Sequence, residues 1–565
     1  MAREKKRLGD MLIAEHIISQ EQLEAALKKA SQEHKKIGEV LVEQGYATEE
    51  AIAKAVSRQL DIEVVSLKGI EIDESVLKLA DGKILKKHTM IPFAFSKNNM
   101  NIVKVAMADP MDMIAMDDFS IVTNLQVEPF IATTRDILMA LDKFYGNRET
   151  LKAVQEYAKE RGAVTAAANM ALEEENDDVS SSPIVKLVKS MIEQAARQRA
   201  SDIHIEALKS MVRIRFRIDG VLYEKFSYDI ELLSAIITRI KIIGGMDIAE
   251  KRKPQDGRIT MVIDRVEYDI RVSILPTVYG EKCVMRLAQK KALTRNKKEL
   301  GFSPKELELF DGILKNPNGI LLVTGPTGSG KSTTLYTALS ELNREDVNII
   351  TVEDPVEANL DGVNQVQVNV KAELTFASAL RSILRQDPDI IMIGEIRDGE
   401  TAQIAVQASI TGHLVVSTLH TNSAAGTLTR LMDMGVESYL LADSMVGVIA
   451  QRLVRKLCPD CKRVHTPTTE ELKFLKMEKD EEITLYEPCG CQHCNNTGYV
   501  GRMGVYEIMP ITPAIRSVIA KHGSTEEIKD VALQEGLSTL YTSARRLTLQ
   551  GITSVTEMAR IVYEN

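Results

Sequence analysis

The residues with the clearest chemistry are Gly325-Pro326-Thr327-Gly328-Ser329-Gly330-Lys331-Ser332-Thr333. Glycines at this spacing let successive backbone N–H groups turn inward around phosphate oxygens, and the positive end of a following helix adds to that field. Lys331 is then placed to reach the β- and γ-phosphates of a nucleoside triphosphate, and the Ser332 hydroxyl to ligate Mg2+. Two carboxylates follow, Glu353 in Thr-Val-Glu-Asp-Pro and Glu395 in Ile-Gly-Glu-Ile-Arg. Beside a phosphate loop such groups orient the attacking water or stand on the metal side. Glu395 is the expected water-polarising group, with Glu353 the second choice or a metal-side partner. His413 and His420 flank another apolar run and are candidates for sensing the γ-phosphate.

A second set of reactive residues lies further on. Cys458-x-x-Cys461 and Cys491-x-x-Cys494 present two thiolates each, a donor set that suits tetrahedral Zn2+ in a closed, non-catalytic site. Cys489 and His493 are spare ligands, and a redox site is the alternative. In a chain this long, clustered cysteines point to metal before disulfides.

The elements that must hold these groups can be read from patterning. Gly319–Thr324 is an apolar strand ahead of the glycine loop, and a helix follows from Thr333. Apolar runs at 348–352, 390–393 and 414–418 alternate with helical stretches, as in a parallel sheet with crossover helices. Residues 212–218 alternate strictly and meet a turn at Asp219-Gly220, so 183–292 reads as an α+β unit. A polar, serine-ended run closes 148–182 and reads as a linker. Residues 63–147 form a small α+β subdomain. Within 1–62, Arg7-Leu8-Gly9 recurs as Lys36-Ile37-Gly38, each copy followed by a helical apolar stripe, with Ser19 and Thr48 as N-caps. The expected units are thus 1–62, 63–147, 148–182, 183–292, 298–455, 456–505 with the cysteines, and a helical 506–565.

The 565 residues are too many for one core, 44% are hydrophobic and 27% charged, and the net charge of -9 argues against a surface built for nucleic acid. No apolar run is long enough for a bilayer span or a secretory signal, so the expected place is the cytoplasm, with any membrane association through partners.

In order, GPTGSGKST, TVEDPVE, IIMIGEIRD and TGHLVVSTLHTN resemble the Walker A, Asp-box, Walker B and His-box of the secretion ATPase superfamily. The resemblance covers roughly 183–565. It implies an α/β fold in which a RecA-like P-loop ATPase domain with a parallel sheet is preceded by a PAS-like α+β domain. It also implies ATP and Mg2+ as ligands and a homo-hexamer. Arginines of the preceding domain would face the nucleotide: by position Arg271 and Arg286, with Arg258 and Arg502 as weaker candidates. The cysteine module followed by Gly498-Tyr499-Val500-Gly501-Arg502 is similar to that of pilus-assembly and type II secretion ATPases, which retraction ATPases lack. The function so implied is a hexameric motor for type IV pilus assembly, working through an inner-membrane platform protein and a cytoplasmic docking protein. Type II secretion is the alternative; a regulatory scaffold without turnover and a DNA-transport motor are the other classes. The N-terminal repeat resembles a domain that in some of these ATPases binds cyclic di-GMP. The matching positions are Arg7, Gly9, Gly38, Gly45 and Gln59, while His16, Ala30 and Lys36 depart from the pattern. A domain that only docks a partner is the alternative.

Overall fold

The computed structural model describes residues 8–563 except 16, 34, 68, 97–98, 142–143, 146–181, 265, 290–296, 478–482 and 492. Arg7, His16 and nearly all of the expected linker lie outside the described residues.

The phosphate loop belongs to a seven-stranded sheet. Its order is Asn364–Gln367, Ile349–Glu353, Ile390–Ile393, Leu414–Leu419, Gly319–Thr324, Met445–Leu457 and Tyr499–Pro510. The four central strands, Ile349–Glu353 to Gly319–Thr324, are parallel and buried along their whole length. Helices on both faces make such strands read as unbroken apolar runs rather than alternating ones. Register sets the geometry that matters. Thr324 pairs with Leu419 and Val352 with Ile393, so the glycine loop, Glu353, Glu395 and His420 all emerge at one edge of the sheet.

The end of the chain differs from a purely helical region. Tyr499–Pro510 runs antiparallel to Met445–Leu457, from Leu457 opposite Tyr499 to Gly447 opposite Pro510. Val505, Tyr506, Ile508 and Met509 are fully buried, and only a paired strand satisfies their backbone groups there. Both strands therefore run across the expected boundaries at 455/456 and 505/506, and the cysteine module is an excursion between two neighbouring strands. Helices Pro513–Ala520, Thr525–Gln534, Leu540–Leu549 and Val555–Tyr563 follow.

Residues 183–289 form a six-stranded antiparallel sheet in the order Val221–Asp229, Met211–Ile218, Ala200–Ala207, Gly280–Gln289, Val266–Thr277, Gln255–Ile263. One face packs Ile203, Ile214, Phe216, Ile270, Val272 and Met285 against helices Pro183–Arg197 and Leu233–Ile243. The period of two sends the alternate, charged residues to the other face.

At the N-terminus, helices Leu8–Ala14, Gln20–Glu33, Ile37–Glu43 and Glu49–Leu60 share a small core of Leu12, Leu23, Ala26, Val40, Leu41 and Ala55. Ser19 and Gln22 exchange both hydrogen bonds of a capping box, and Thr48 accepts from Ala51 N–H. A three-stranded sheet (Met90–Ser96, Asn99–Met107, Gln126–Ile131) builds the next unit.

Candidate active site and metal centre

The glycine loop joins Gly319–Thr324 to the helix Lys331–Leu342. Gly330, at φ 91°, is the helix N-cap, in the left-handed region that favours glycine. A Cβ there would lie 2.8 Å from Gln451 Nε2, and one on Gly325 would lie 2.4 Å from Gln451 O. The loop is thus closed down to backbone thickness, the close approach that a backbone cradle for a ligand requires. Ser329 Oγ is buried with no hydrogen-bond partner, a polar atom awaiting an acceptor or donor from that ligand. Such a cradle fits phosphate. Pro326, Thr327, Gly328 and Ser332 are exposed and Thr333 is half-buried.

Lys331 Nζ donates to Gly325 O at 2.7 Å and Pro326 O at 3.2 Å. Burial brings its pKa down to about 8, with Arg452 pushing the same way and Glu395 opposing. The sign of the pH effect follows directly. Below pH 8 the ammonium is present to meet phosphate; above it the free enzyme loses that charge. ATP affinity should therefore fall on raising the pH from 7.5 to 9, by up to roughly tenfold for a single deprotonation. Equilibrium titration with a fluorescent ATP analogue checks this, and a flat profile would count against it.

The two carboxylates have different surroundings. Glu353 is 3% exposed and accepts from Thr351 Oγ1 at 2.6 Å, Gln365 Nε2 at 3.1 Å and the Tyr336 hydroxyl. Glu395 is less enclosed, with Arg397 Nε at 2.6 Å and His420 Nε2 at 3.2 Å. Burial alone would raise its carboxyl, but Arg397 and His420 hold it below the usual carboxylate range. An ionised, partly open carboxylate electrostatically coupled to Lys331 is suited to orient water; the enclosed Glu353 is suited to hold position.

The two histidines separate. His420 follows the end of Leu414–Leu419 and contacts Glu395. His413 precedes that strand, and its carbonyl accepts from Gly319 N–H at the start of the phosphate-loop strand. In a parallel sheet this is the opposite edge, a strand's length or roughly 17–20 Å away. The expectation that His413 senses the γ-phosphate is corrected: its Nδ1 bonds the Ala408 carbonyl at 2.8 Å, and it closes the end of the helix Gly399–Ile410. His413→Ala should leave ATP turnover within about twofold, while His420→Ala, which removes a contact to a charged group, should slow it about tenfold. Phosphate-release assays on both variants test this, and equal losses would contradict it.

Arg258, Arg271 and Arg286 occupy directly paired positions on three adjacent strands, continued by Asp202 and Arg217 on the next two. Like charges side by side on one face cost stability unless they are partnered. Asp269 binds Arg258 with two contacts of 2.5 and 2.8 Å, and Asp202 binds Arg286 at 3.0 Å. Arg271 instead reaches the ATPase core, where its Nη2 lies 2.8 Å from Glu357 Oε2. Arg502 stands elsewhere, 3.7 Å from Asp219, whose carboxylate also accepts from Gly501 N–H at 2.9 Å. It belongs to the junction between the six-stranded domain and the cysteine module.

Cys458, Cys461, Cys491 and Cys494 bring their sulfurs within 4.8 Å of one another. Three of the separations are 3.8, 3.8 and 3.7 Å. Four thiolates around Zn2+ at about 2.3 Å stand about 3.8 Å apart, so the donor set and spacing fit that ion. Burial would raise the Cys494 thiol, but the amides of Cys491 and Gly498, each 3.1 Å from its sulfur, bring it down to about 7. Cys489 is exposed and outside the cluster. His493 lies 3.9 Å from Cys458 Sγ and is held by Asp460 at 2.5 Å.

A family model described as "Type II/IV secretion system protein" matches residues 177–560. The type IV pilus assembly ATPase PilB of Myxococcus xanthus is 41% identical over 98% of this chain and 98% of its own. The chain belongs to the type II/IV secretion system protein family. Within that family, type II secretion system protein E of Pseudomonas aeruginosa is 49% identical, over 70% of this chain and 78% of its own. The X-ray structure of the Yersinia pseudotuberculosis ATPase DotB superposes with a TM-score of 0.51 at 21% identity, over 71% of this chain and 97% of that one, a likeness of fold. A MshEN domain model matches residues 60–151. The family is one of ATPases that drive pilus assembly and secretion, and this chain is an ATPase with that RecA-like core.

Two residues of the family core escaped the sequence reading. Gln451, 2% exposed, donates to Ser329 O at 3.0 Å and accepts from Thr334 Oγ1 at 2.8 Å, bracing the loop from the neighbouring strand. Arg452, 3% exposed, binds Asn422 Oδ1 at 3.0 Å beside it. In the N-terminal repeat, a Cβ on Gly9 would meet Leu23 at 2.6 Å and one on Gly38 would meet Ile52 at 3.1 Å. Both glycines therefore serve helix packing, whatever else they do. Gly45 takes φ 73° in open space, Gln59 is half-buried, and Lys36 pairs with Asp109. Among the described residues, no helix is long and apolar enough to cross a membrane.

Proposed function

We propose that this ATPase is the motor of type IV pilus assembly. It works as a homo-hexameric ring at the cytoplasmic face of the inner membrane, without nucleic acid. The observation that carries this reading is the end-to-end alignment with a pilus assembly ATPase, over 98% of both chains, where the type II secretion relative aligns over only 70% of this one.

In the mechanism, the loop amides, Ser329 and Lys331 hold the phosphates. Glu395, positioned by Arg397 and His420, orients water for attack on the γ-phosphorus. The Ser332 hydroxyl would hold Mg2+, whose charge would help to neutralise the phosphates. Arg271 and Arg286, carried by the six-stranded domain, neutralise charge on the transferring group as that domain closes; Arg286 must leave Asp202 to do so, whereas Arg271 gives Glu357 its Nη2 and has further N–H donors to offer. Opening and closing of the two domains is the mechanical output, passed by a platform protein to pilin subunits. Cys458, Cys461, Cys491 and Cys494 would hold Zn2+, which would tie together the module that bridges the domains. The N-terminal region is the regulatory and docking end, with cyclic di-GMP as its ligand on the strength of the repeated Arg7-Leu8-Gly9 and Lys36-Ile37-Gly38; calorimetric titration of the full chain tests that point.

The test of the whole reading is genetic. A host strain lacking the gene should show no surface pili by electron microscopy, with rescue by the intact gene and none by Lys331→Ala. Normal piliation with a failure of protein export would move the function to type II secretion.

A further inference from the structure

Tyr336 lies on the phosphate-loop helix, five residues after Lys331, and is 1% exposed. A phenol has one hydrogen to donate and two lone pairs to accept with. Here all three are used. The hydroxyl donates to Glu353 and accepts from the backbone N–H groups of Glu357 at 3.2 Å and Ala358 at 3.4 Å. One oxygen therefore pins both ends of the short segment running from Glu353 to Ala358. The side chain at the end of that segment, Glu357, is the one that holds Arg271 of the six-stranded domain at 2.8 Å. Burial keeps the phenol protonated, because its pKa is pushed well above the usual tyrosine value.

We propose that Tyr336 is a positioning residue for ATP hydrolysis, joining the Arg271–Glu357 ion pair to Glu353 and the phosphate-loop helix. Movement of the six-stranded domain pulls on Glu357. The backbone on either side of Glu357 is fixed to the Tyr336 oxygen, so the displacement reaches Glu353 and the helix that begins at Lys331. Thr351 also holds Glu353 without touching the Glu357 segment, whereas Gln365 Nε2 donates both to Glu353 at 3.1 Å and to the Ala358 carbonyl at 3.0 Å, a second brace on the far side of Glu357 that runs beside the phenol. The proposal rests on the reading that domain closure accompanies turnover.

The experiment compares steady-state ATP hydrolysis by full-length wild type, Tyr336→Phe, Glu357→Gln, their double variant and Glu395→Gln. Removing the hydroxyl from a charged acceptor should lower kcat about tenfold or more, with KM for ATP within about twofold. Glu357→Gln changes a partly exposed side chain, does not threaten the fold, and should lower kcat at similar KM. If the two act along one connection, the double variant should be no slower than the slower single one. Unchanged kcat in either single variant, a loss confined to KM, or fully multiplicative losses would overturn the proposal. Glu395→Gln separates the two levels. Should it lose turnover while Tyr336→Phe keeps it, only the connection falls; should it keep turnover, the assignment of the water-orienting residue falls instead.

Discussion

Glu395→Gln should bind ATP with close to native affinity and hydrolyse it roughly 10^2 to 10^4 times more slowly, the range for loss of a positioned proton acceptor. In barrier terms this is about 3 to 5.5 kcal/mol. Glutamine keeps the volume and can still accept from Arg397 Nε, now 2.6 Å from the carboxylate, so the sheet edge should stay intact. What is lost is the negative charge that orients water and raises the Lys331 pKa. Titration with a fluorescent ATP analogue and single-turnover phosphate release measure the two halves separately. Retained turnover would transfer the role to Glu353, whose three donors already occupy it. The corresponding Glu353→Gln change should cost stability as well as rate, because Tyr336 and Thr351 would lose a charged acceptor inside the core.

Removing the metal should have the second large effect. Purified protein should carry one Zn2+ per chain by elemental analysis, and Cys491→Ser should lose it. Structural zinc is worth roughly 10–16 kcal/mol in isolated small modules. Here the module is also tied to the rest of the fold. Leu457 N–H donates to Ile552 O at 2.8 Å, Cys458 N–H to Gly498 O at 2.9 Å, and Lys462 Nζ to Gly551 O at 2.9 Å. The loss should therefore open the 458–498 excursion first, seen as an early, separate thermal transition and as new protease cleavage there. A variant that keeps its metal, or melts like wild type, would rule out the four-sulfur site. A redox role would show instead as a reversible thiol–disulfide change in a protein that carries no zinc.

The parts of this site legible in the sequence are those whose chemistry is local. Gly330, Lys331 and Ser332 are contiguous, and their strand and helix are adjacent in the chain. Glu353 and Glu395 end buried apolar runs, so their edge follows from the direction of the strands. The same logic, applied strictly, would have placed His413 correctly: it precedes its strand, and in a parallel sheet that is the far edge. Gln451 could not be found this way. It contacts Thr334 across 117 residues, and nothing in its own neighbourhood distinguishes it from any polar residue in a strand. The place of Arg258 in a row with Arg271 and Arg286 is hidden for a similar reason, since it depends on hairpin register rather than on spacing. For the cysteines, the two C-x-x-C spacings already pick out the four ligands, and the fold adds that Cys489 is exposed and outside the cluster.

The strand order of the ATPase sheet also has a consequence for biosynthesis. Gly319–Thr324 lies between Leu414–Leu419 and Met445–Leu457, both made later. Its first hydrogen-bonding neighbour appears roughly 90 residues after it, about 5 to 18 s at ordinary translation speeds. During that interval a run of Ile, Leu, Leu and Val, with two open edges, is attached to the ribosome with nothing to pair with. The apolar strand that makes a good floor for nucleotide is thus the segment of the nascent chain most in need of a chaperone.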